Sequence, residues 1–343
     1  MKKDIRKLGL TELNDYVLKT GLSAFRTKQI WEWLWVKSAR NFAEMSNLSL
    51  SIRSQLAQDF DIFPITVQKD QKSNDGTIKF AFSLRDKALV EGVLIPAENR
   101  MTACVSSQVG CSLSCKFCAT GYMDRKRNLD SAEIYDQVVE IDKKAREHFD
   151  SPISNIVFMG MGEPLLNYNN VLNGIERITA SDGLNMSPKR ITVSTAGISK
   201  MIIKLADDQV KFNLALSLHA ANDVKRNKIM PINETNTLKV LKEALLYFYQ
   251  KTRNQITFEY IVFDNFNDRL EDAVELWHFA KSIPSKVNII EYNPIAEAQY
   301  QNTTVDKLDQ FANFLKSKKL IVNVRRSRGK DIDAACGQLA NKI

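Results

Sequence analysis

The sequence predicts an α/β fold: a mostly parallel sheet flanked by helices, preceded by a small helical domain and a β-hairpin connector. Three observations predict it. After Asn99, apolar runs rich in β-branched residues alternate with amphipathic stretches of helical period. From about Thr11 to Phe60 the period is helical alone. Between the two, Asn74-Asp75-Gly76 separates segments of strand character, a strong hairpin signal. A length of 343 residues suggests about two domains, enough to bury a core without disulfide staples. With 44% hydrophobic and 26% charged residues but only 13 Gly and 8 Pro, disordered and fibrous classes are excluded.

The elements follow in order. The helical segment, residues 1–62, holds three of the four tryptophans within Phe25, Ile30, Trp31, Trp33, Leu34 and Trp35, flanked by Arg26, Lys28 and Lys37. An aromatic core with a solvated basic rim is the simpler reading, and a nucleic-acid surface the alternative. Residues 63–100 form the β-rich connector, with strands at Thr66 to Lys69, Thr77 to Leu84 and Ala88 to Ile95. Residues 101–297 supply six candidate strands: Met101 to Gln108, Ser154 to Met159, Arg190 to Val193, Phe212 to Leu216, Gln255 to Val262 and Lys286 to Tyr292. Asp130-Ser-Ala-Glu133 is a capping-box pattern opening a helix with Ile134, Val138, Ile141 and Ala145 on one face. A later helix, with Asn236 as its expected N-cap, carries Leu238, Leu241, Leu245 and Phe248. Six βα units with right-handed crossovers give either an open doubly wound sheet or a full or partial barrel. Residues 298–343 read as a polar, basic extension.

The five cysteines carry the chemistry. An odd count cannot close a disulfide framework, and the charged N-terminus MKKDIRKLGL lacks the apolar core of a secretory signal. No stretch approaches the ~20 apolar residues of a membrane span. A cytoplasmic protein with no membrane partner is expected. Cys111, Cys115 and Cys118 follow the first strand of the βα series at C-x3-C-x2-C spacing. Three thiolates in one tight loop can wrap a corner of a 4Fe-4S cubane, each facing a different iron. The cluster needs four ligands, so three cysteines leave one iron open to a small molecule. The alternative is a structural zinc completed by His219. Cys104 and Cys336 remain, each of which taken alone could be an inert buried thiol, although Ala334-Ala335-Cys336-Gly337 surrounds its sulfur with small neighbours.

Cys111, Cys115 and Cys118 after the first strand resemble the motif of the radical S-adenosylmethionine (SAM) enzymes. The stretches Cys104 to Cys111, Phe158 to Asn167, Val193 to Gly197, Ser217 to His219, Glu291 to Pro294 and Asp331 to Gln338 resemble, within that group, the RlmN/Cfr family of RNA methyltransferases. Phe25 to Trp31 resembles the family's N-terminal accessory domain, so the likeness spans nearly the whole chain. The resemblance implies a partial (β/α)6 barrel of the TIM type and a SAM bound to the open iron. Gly162 and Glu163, Ser194, Ser217, Leu218, His219 and Asn293 would form the SAM pocket, and each falls at or past the C-terminal end of a candidate strand, where barrel enzymes build their sites. A lone His219 there would more often be structural; the joint placement makes the case.

The resemblance also implies a mechanism that consumes two SAM per turnover. Cys336 takes a methyl group from one by displacement. A 5′-deoxyadenosyl radical from the second removes hydrogen from that S-methyl, and the carbon radical adds to adenine C2, an electron-poor carbon unable to attack a methyl cation equivalent. Glu91 removes the C2 proton, and Cys104 attacks the sulfur of Cys336 to release product, leaving a transient disulfide. The implied substrates are adenosine 2503 of 23S rRNA and adenosine 37 of tRNA, with a flavodoxin or ferredoxin system as electron donor and a monomer as the working state. Gly162 to Asn167, Gly92 to Pro96 and Leu214 to His219 resemble the C2-specific members, while Ala119 to Asn128 departs from their commonest wording and keeps Cfr-type methylation of C8 in view. A non-catalytic zinc RNA-binding module is the competing class. The charge fits an RNA partner: of a net +8, residues 1–60 carry ten basic against six acidic residues, and the segment from Lys316 carries eight against two.

Overall fold

Two short strands tie the beginning of the chain to the end of its helical domain: β1 (Lys3–Asp4) pairs in parallel with β2 (Phe60–Asp61). Between them lie α1 (Leu10–Lys19), α2 (Phe25–Trp35) and α3 (Leu50–Asp59), the last capped by Ser49, whose hydroxyl accepts the Ile52 N–H at 3.3 Å. This computed structural model describes residues 2–342. On α2, Ile30, Trp31, Leu34 and Trp35 recur at helical spacing and are buried, whereas Phe25 is 63% exposed. The aromatic cluster is therefore largely core. It docks the helical domain onto the sheet domain: Trp35 meets Tyr135 edge-on at 5.1 Å, and the Trp31 indole N–H donates to Asp182 at 2.9 Å. A buried Arg6 forks between Asp4 (3.0 Å) and Asp136 (2.8 Å), a pair whose one-sided removal costs about 3–5 kcal/mol.

The hairpin forms as expected. β3 (Thr66–Lys72), β4 (Ile78–Ser83), β5 (Leu89–Ala97) and β6 (Arg100–Cys104) make an antiparallel meander. The first strand of the βα series ends at Cys104, not Gln108, because the Ser106 N–H is taken by the Gln137 side chain at 2.8 Å. Beyond it, β7 (Gln108–Val109) pairs with β8 (Arg127–Asn128) across the cysteine loop. Then β9 (Asn155–Phe158), β10 (Ile191–Thr195), β11 (Asn213–Ser217), β12 (Ile256–Val262), β13 (Ser285–Glu291) and β14 (Ile321–Arg325) follow β6 in parallel, each beside its predecessor. The full order is β14-β13-β12-β11-β10-β9-β6-β5-β4-β3. It never reverses, which excludes the doubly wound arrangement with its switch point, and its two edges stay apart, which makes it an open, partial barrel.

Helices α4 (Ser131–Phe149), α5 (Tyr168–Thr179), α6 (Ser199–Asp207), α7 (Asp223–Ile229), α8 (Leu238–Thr252), α9 (Leu270–Ala280) and α10 (Val305–Ser317) connect the parallel strands. The capping box opens α4: Asp130 accepts the Glu133 N–H at 2.9 Å and Glu133 accepts the Asp130 N–H at 3.0 Å. Its face Ile134, Val138, Ile141 and Ala145 is fully buried, and each branched side chain stabilises by about 1.5–3 kcal/mol. Two expectations need correction. Thr237, not Asn236, is the N-cap of α8, because Asn236 spends its carbonyl on the Ser199 N–H (2.9 Å) and hydroxyl (2.8 Å) while Asp223 takes the Leu238 N–H (2.9 Å). The basic end is not a bare extension either: α10 buries Leu308, Phe311, Ala312 and Leu315, and β14 pairs with β13 as a seventh parallel strand.

Candidate active site

The C-terminal ends of these strands converge on one cavity, lined among others by Cys111, Cys115, Cys118, Gly162, Glu163, Ser194, Ser217, His219 and Cys336. Nine residues singled out from sequence thus share a wall although they span the chain from the first βα loop to its end. Leu218 is buried behind them, its N–H held by the Glu259 carbonyl at 3.0 Å. Asn293 stands just past β13; its amide donates to the Cys336 carbonyl at 3.2 Å, and its own Oδ1 is buried without a partner. Cys104, the last residue of β6, is buried, and burial together with the nearby Cys336 sulfur pushes its thiol up to about 12.

Local backbone explains the placement. Gly162 has φ +93°, and a Cβ there would stand 2.4 Å from Gln108 Cβ, so only glycine lets the loop after β9 close on β7. Gln108 in turn accepts the Glu163 N–H at 2.9 Å. The Glu163 carboxylate accepts the Ala196 N–H at 2.7 Å and the Leu165 N–H at 3.0 Å, yet burial still pushes it up to about 7. Gly337, at φ +85°, brings the C-terminal segment against the cysteine loop, with Gly337 carbonyl accepting the Ala119 N–H at 2.7 Å and Leu339 carbonyl accepting the Thr120 hydroxyl at 2.5 Å. Cys336 is exposed to the space between.

None of Cys104, Leu218, Asn293 and Glu91 lines this cavity, and Glu91 is covered on its own side of the sheet. It lies on β5, fully buried beneath the C-terminal segment; Oε2 accepts the N–H groups of Ala340 (2.8 Å) and Asn341 (3.0 Å), and Lys79 Nζ stands 3.5 Å from Oε1. The cationic chain end is likewise less free than its composition suggested. Arg326 and Lys330 pair with Glu291, Arg328 with Asp75, and Lys342 with Glu297.

The donor set fits a cluster better than a zinc ion. Burial pushes Cys111 up to about 11 and raises Cys115 and Cys118, with only the buried Arg226 cation opposing this at Cys115. Among the described residues no three His, Cys, Asp or Glu side chains converge on a point suited to one ion, and a cubane, which gives each sulfur its own iron, does not require that convergence. His219 is already committed: its Nδ1 accepts the Ile261 N–H at 3.1 Å, its ring meets Phe117 edge-on at 4.6 Å, and burial lowers its pKa to about 3. The neutral tautomer therefore carries its proton on Nε2, unsuited to ligating zinc. Glu163, a buried carboxylate short of a cation, and the orphaned Asn293 Oδ1 suit the ammonium of an amino-acid moiety.

Sequence reasoning missed two residues of the site. Arg226 on α7 is fully buried and donates to the carbonyls of Ala196 (2.6 Å), Ser217 (3.1 Å) and Leu218 (3.1 Å) and to Asn233 Oδ1 (2.7 Å), holding two strand ends together. Glu259 lines the cavity floor; a charge inside the apolar run Ile256 to Val262 is the signal that would have found it.

Comparison with known proteins agrees with this geometry. Residues 105–276 match the radical SAM superfamily, and residues 3–62 the ribosomal RNA large subunit methyltransferase N-terminal domain. A probable dual-specificity RNA methyltransferase RlmN of Cytophaga hutchinsonii is 65% identical over 99% of this chain and 93% of its own length. The dual-specificity RNA methyltransferase RlmN of Geotalea uraniireducens is 43% identical over 100% of this chain and 98% of its own. The crystal structure of a radical SAM methyltransferase from Sphaerobacter thermophilus superposes with a TM-score of 0.93 at 36% identity, covering 98% of this chain and 99% of that one. The chain belongs to the radical SAM superfamily and, within it, to the RlmN family of dual-specificity RNA methyltransferases.

Proposed function

We propose that this enzyme methylates C2 of adenosine in RNA, at adenosine 2503 of 23S rRNA and at adenosine 37 of tRNA, through a methyl group carried on Cys336. The observation that carries the reading is the meeting of Cys336, from the end of the chain, with Cys111, Cys115 and Cys118 in one cavity, backed by Cys104. When bound, a 4Fe-4S cluster and SAM supply the methyl group and the one-electron chemistry that an electron-poor ring carbon requires.

The protein's own groups divide the remaining work. Cys111, Cys115 and Cys118 would hold the cluster. Glu163 and Asn293 would take the amino-acid end of SAM, with Gly162 permitting close approach and Ser194, Ser217, Leu218 and His219 closing the pocket. Cys336 carries the methyl as a thioether beside that pocket. Cys104 then attacks the Cys336 sulfur: an S–S bond forms, the S–C bond to the product breaks with its electron pair going to the carbon, and a proton, balanced by the one the Cys104 thiol gives up, completes the methyl group. Glu91 takes the C2 proton, which requires the Ala340–Asn341 segment to release its carboxylate. Residues 1–62 serve RNA binding, a flavodoxin or ferredoxin system supplies electrons, and the enzyme works as a cytoplasmic monomer in a reducing compartment.

Mass spectrometry of nucleosides from RNA treated with the anaerobically reconstituted enzyme tests the reading. It expects 2-methyladenosine; 8-methyladenosine alone would overturn the C2 assignment in favour of Cfr-type chemistry.

A further inference from the structure

The sheet is open, with β14 at one edge and the β3 to β6 meander at the other side, and the chain itself spans the opening. Residues 326–341 leave β14, carry Cys336 and settle on β4, β5 and the turn before β4, yet they hold only one turn of 3-10 helix, Lys330–Ile332. A strap with so little internal structure takes its position from what it touches, and so does the Cys336 sulfur. The partner of its first half is the Asn74-Asp75-Gly76 turn between β3 and β4, a feature for which the reaction described above has no use.

The contact is reciprocal. Asp331 Oδ1 accepts the Ser73 hydroxyl at 2.5 Å and its Oδ2 accepts the Asn74 N–H at 3.1 Å. In the other direction, Asp75 Oδ2 accepts the Gly329 N–H at 2.9 Å and the Asp75 carbonyl accepts Arg328 Nη2 at 3.0 Å. Gly329 has φ +65°, and a Cβ there would stand 2.8 Å from Ala334 Cβ and 2.9 Å from Thr77 Cγ2, so glycine lets the strap lie against the turn. Asp333 also adopts a left-handed φ, +51°; the buried Lys79 donates to its carbonyl at 3.4 Å while standing 3.5 Å from Glu91 Oε1. Carrier strap and proposed base therefore lean on one ammonium. Three residues further on, the Cys336 carbonyl accepts the Asn293 amide at 3.2 Å. The far end of the strap rests on Glu91 through Ala340 and Asn341, and a base role for Glu91 requires that contact to open. Once it opens, the register of Cys336 depends on the near end.

We propose that Asp331 and Asp75 are positioning residues for the methyl carrier: clasped to the Asn74-Asp75-Gly76 turn, the segment 328–333 holds Cys336 facing the cysteine cavity and keeps that register while the Ala340–Asn341 end lets go of Glu91. The proposal rests on the methyl-carrier reading above and gives the β-rich connector a part in the reaction. Neither aspartate lines the cysteine cavity, so loss of the clasp acts on transfer to Cys336 and spares SAM binding. Misplacing a reacting atom by about 1 Å can cost about 10²-fold in rate. Opening the clasp while the contacts to the cysteine loop persist should cost less than that.

The test uses the reconstituted full-length enzyme. S-methylation of Cys336 is timed by peptide mass spectrometry over a range of SAM concentrations, and SAM affinity is measured by equilibrium dialysis. Hydrogen exchange at the Ala119 amide, which donates to the Gly337 carbonyl, reports on the strap beside Cys336. Asp331→Ala is expected to lower kcat for S-methylation about 10-fold, with KM and SAM affinity within 2-fold of wild type, and to speed Ala119 exchange about 5-fold; methylation of a target RNA stem-loop falls with kcat. Asp331→Asn, whose Oδ1 can accept the Asn74 N–H while its amide donates to the Ser73 hydroxyl, is expected to bring kcat back to within about 3-fold of wild type. Wild-type kcat and wild-type exchange in Asp331→Ala would overturn the clasp. A loss of SAM affinity as large as the loss of kcat would overturn it too, because it marks a loosening of the whole barrel mouth. Should Asp331→Ala fail to fold, Ser73→Ala, which removes a single donor, decides by the same measurements. A wild-type enzyme that never S-methylates Cys336 would instead overturn the underlying function, and Ala119 exchange in Asp331→Ala would still decide the clasp.

Discussion

Arg226→Met tests how the SAM-pocket end of the barrel is held together. The guanidinium is fully buried and spans four acceptors at 2.6–3.1 Å, among them the carbonyls that end β11 and follow β10. Burial lowers its pKa to about 10, so it remains a cation at neutral pH and its desolvation cost persists. Hydrogen bonds to a charged donor are worth about 1.5–3 kcal/mol each, and methionine of similar length takes the donor from the Ala196 and Ser217 carbonyls and Asn233 Oδ1, while the Leu218 carbonyl keeps the Ala220 N–H at 2.7 Å. Relief of the buried charge offsets part of this, leaving a net loss of about 3–5 kcal/mol. In a chain of this size that lowers Tm by about 6–12 °C in anaerobic thermal unfolding, and SAM affinity falls because Ala196, Ser217 and Leu218, which carry the ends of β10 and β11, lose their common anchor. A Tm within 2 °C of wild type, with unchanged SAM affinity, would refute the reasoning.

Three further outcomes follow from the same geometry. His219 titrates near 3 when folded against about 6.5 unfolded, so the unfolded chain binds the extra proton and stability falls as pH drops through that window; relative to His219→Gln, wild type should lose about 2–3 kcal/mol between pH 7.5 and 4.5 in urea unfolding, and parallel pH curves would contradict this. Gly162→Ala places a methyl 2.4 Å from Gln108 Cβ at φ +93°, and equilibrium dialysis should show SAM affinity at least 10-fold weaker, with an unchanged value counting against the pocket. Glu91→Ala removes the acceptor of the Ala340 and Asn341 N–H groups and leaves Lys79 buried without its acid, so hydrogen exchange at those two amides should accelerate at least 10-fold; unaltered exchange would show that the segment is held otherwise.

The features legible in the sequence are those written in local pattern. The Asn74-Asp75-Gly76 turn, the Asp130–Glu133 capping box and the buried runs of β9 to β13 depend on neighbours in sequence, and the structure has them in place. The cysteine loop and the strand-end motifs were legible for the same reason, and the cavity they share follows from the parallel order. What was missed depends on distant partners. β14 has no fully buried residue, Ile321 and Asn323 being exposed, and pairs solely with β13, so its sequence lacks the apolar run of a central strand. Asn236 looks like a helix cap, but Ser199 on another element outcompetes that role. Glu91 gives no local hint that the last residues of the chain will settle on its carboxylate. The cationic tail looked free because Glu291, Asp75 and Glu297 are remote in sequence from the residues they pair.

The central claim is that Cys336 carries the methyl group and Cys104 releases it. Its most direct measurement is intact-mass analysis of enzyme incubated anaerobically with SAM, a one-electron reductant and the target stem-loop. Cys104→Ala should accumulate a covalent protein–RNA adduct that peptide mapping places on Cys336, and Cys336→Ala should give neither adduct nor methylated RNA. Methylated RNA from Cys336→Ala, or an adduct mapped to any other residue, would contradict the account.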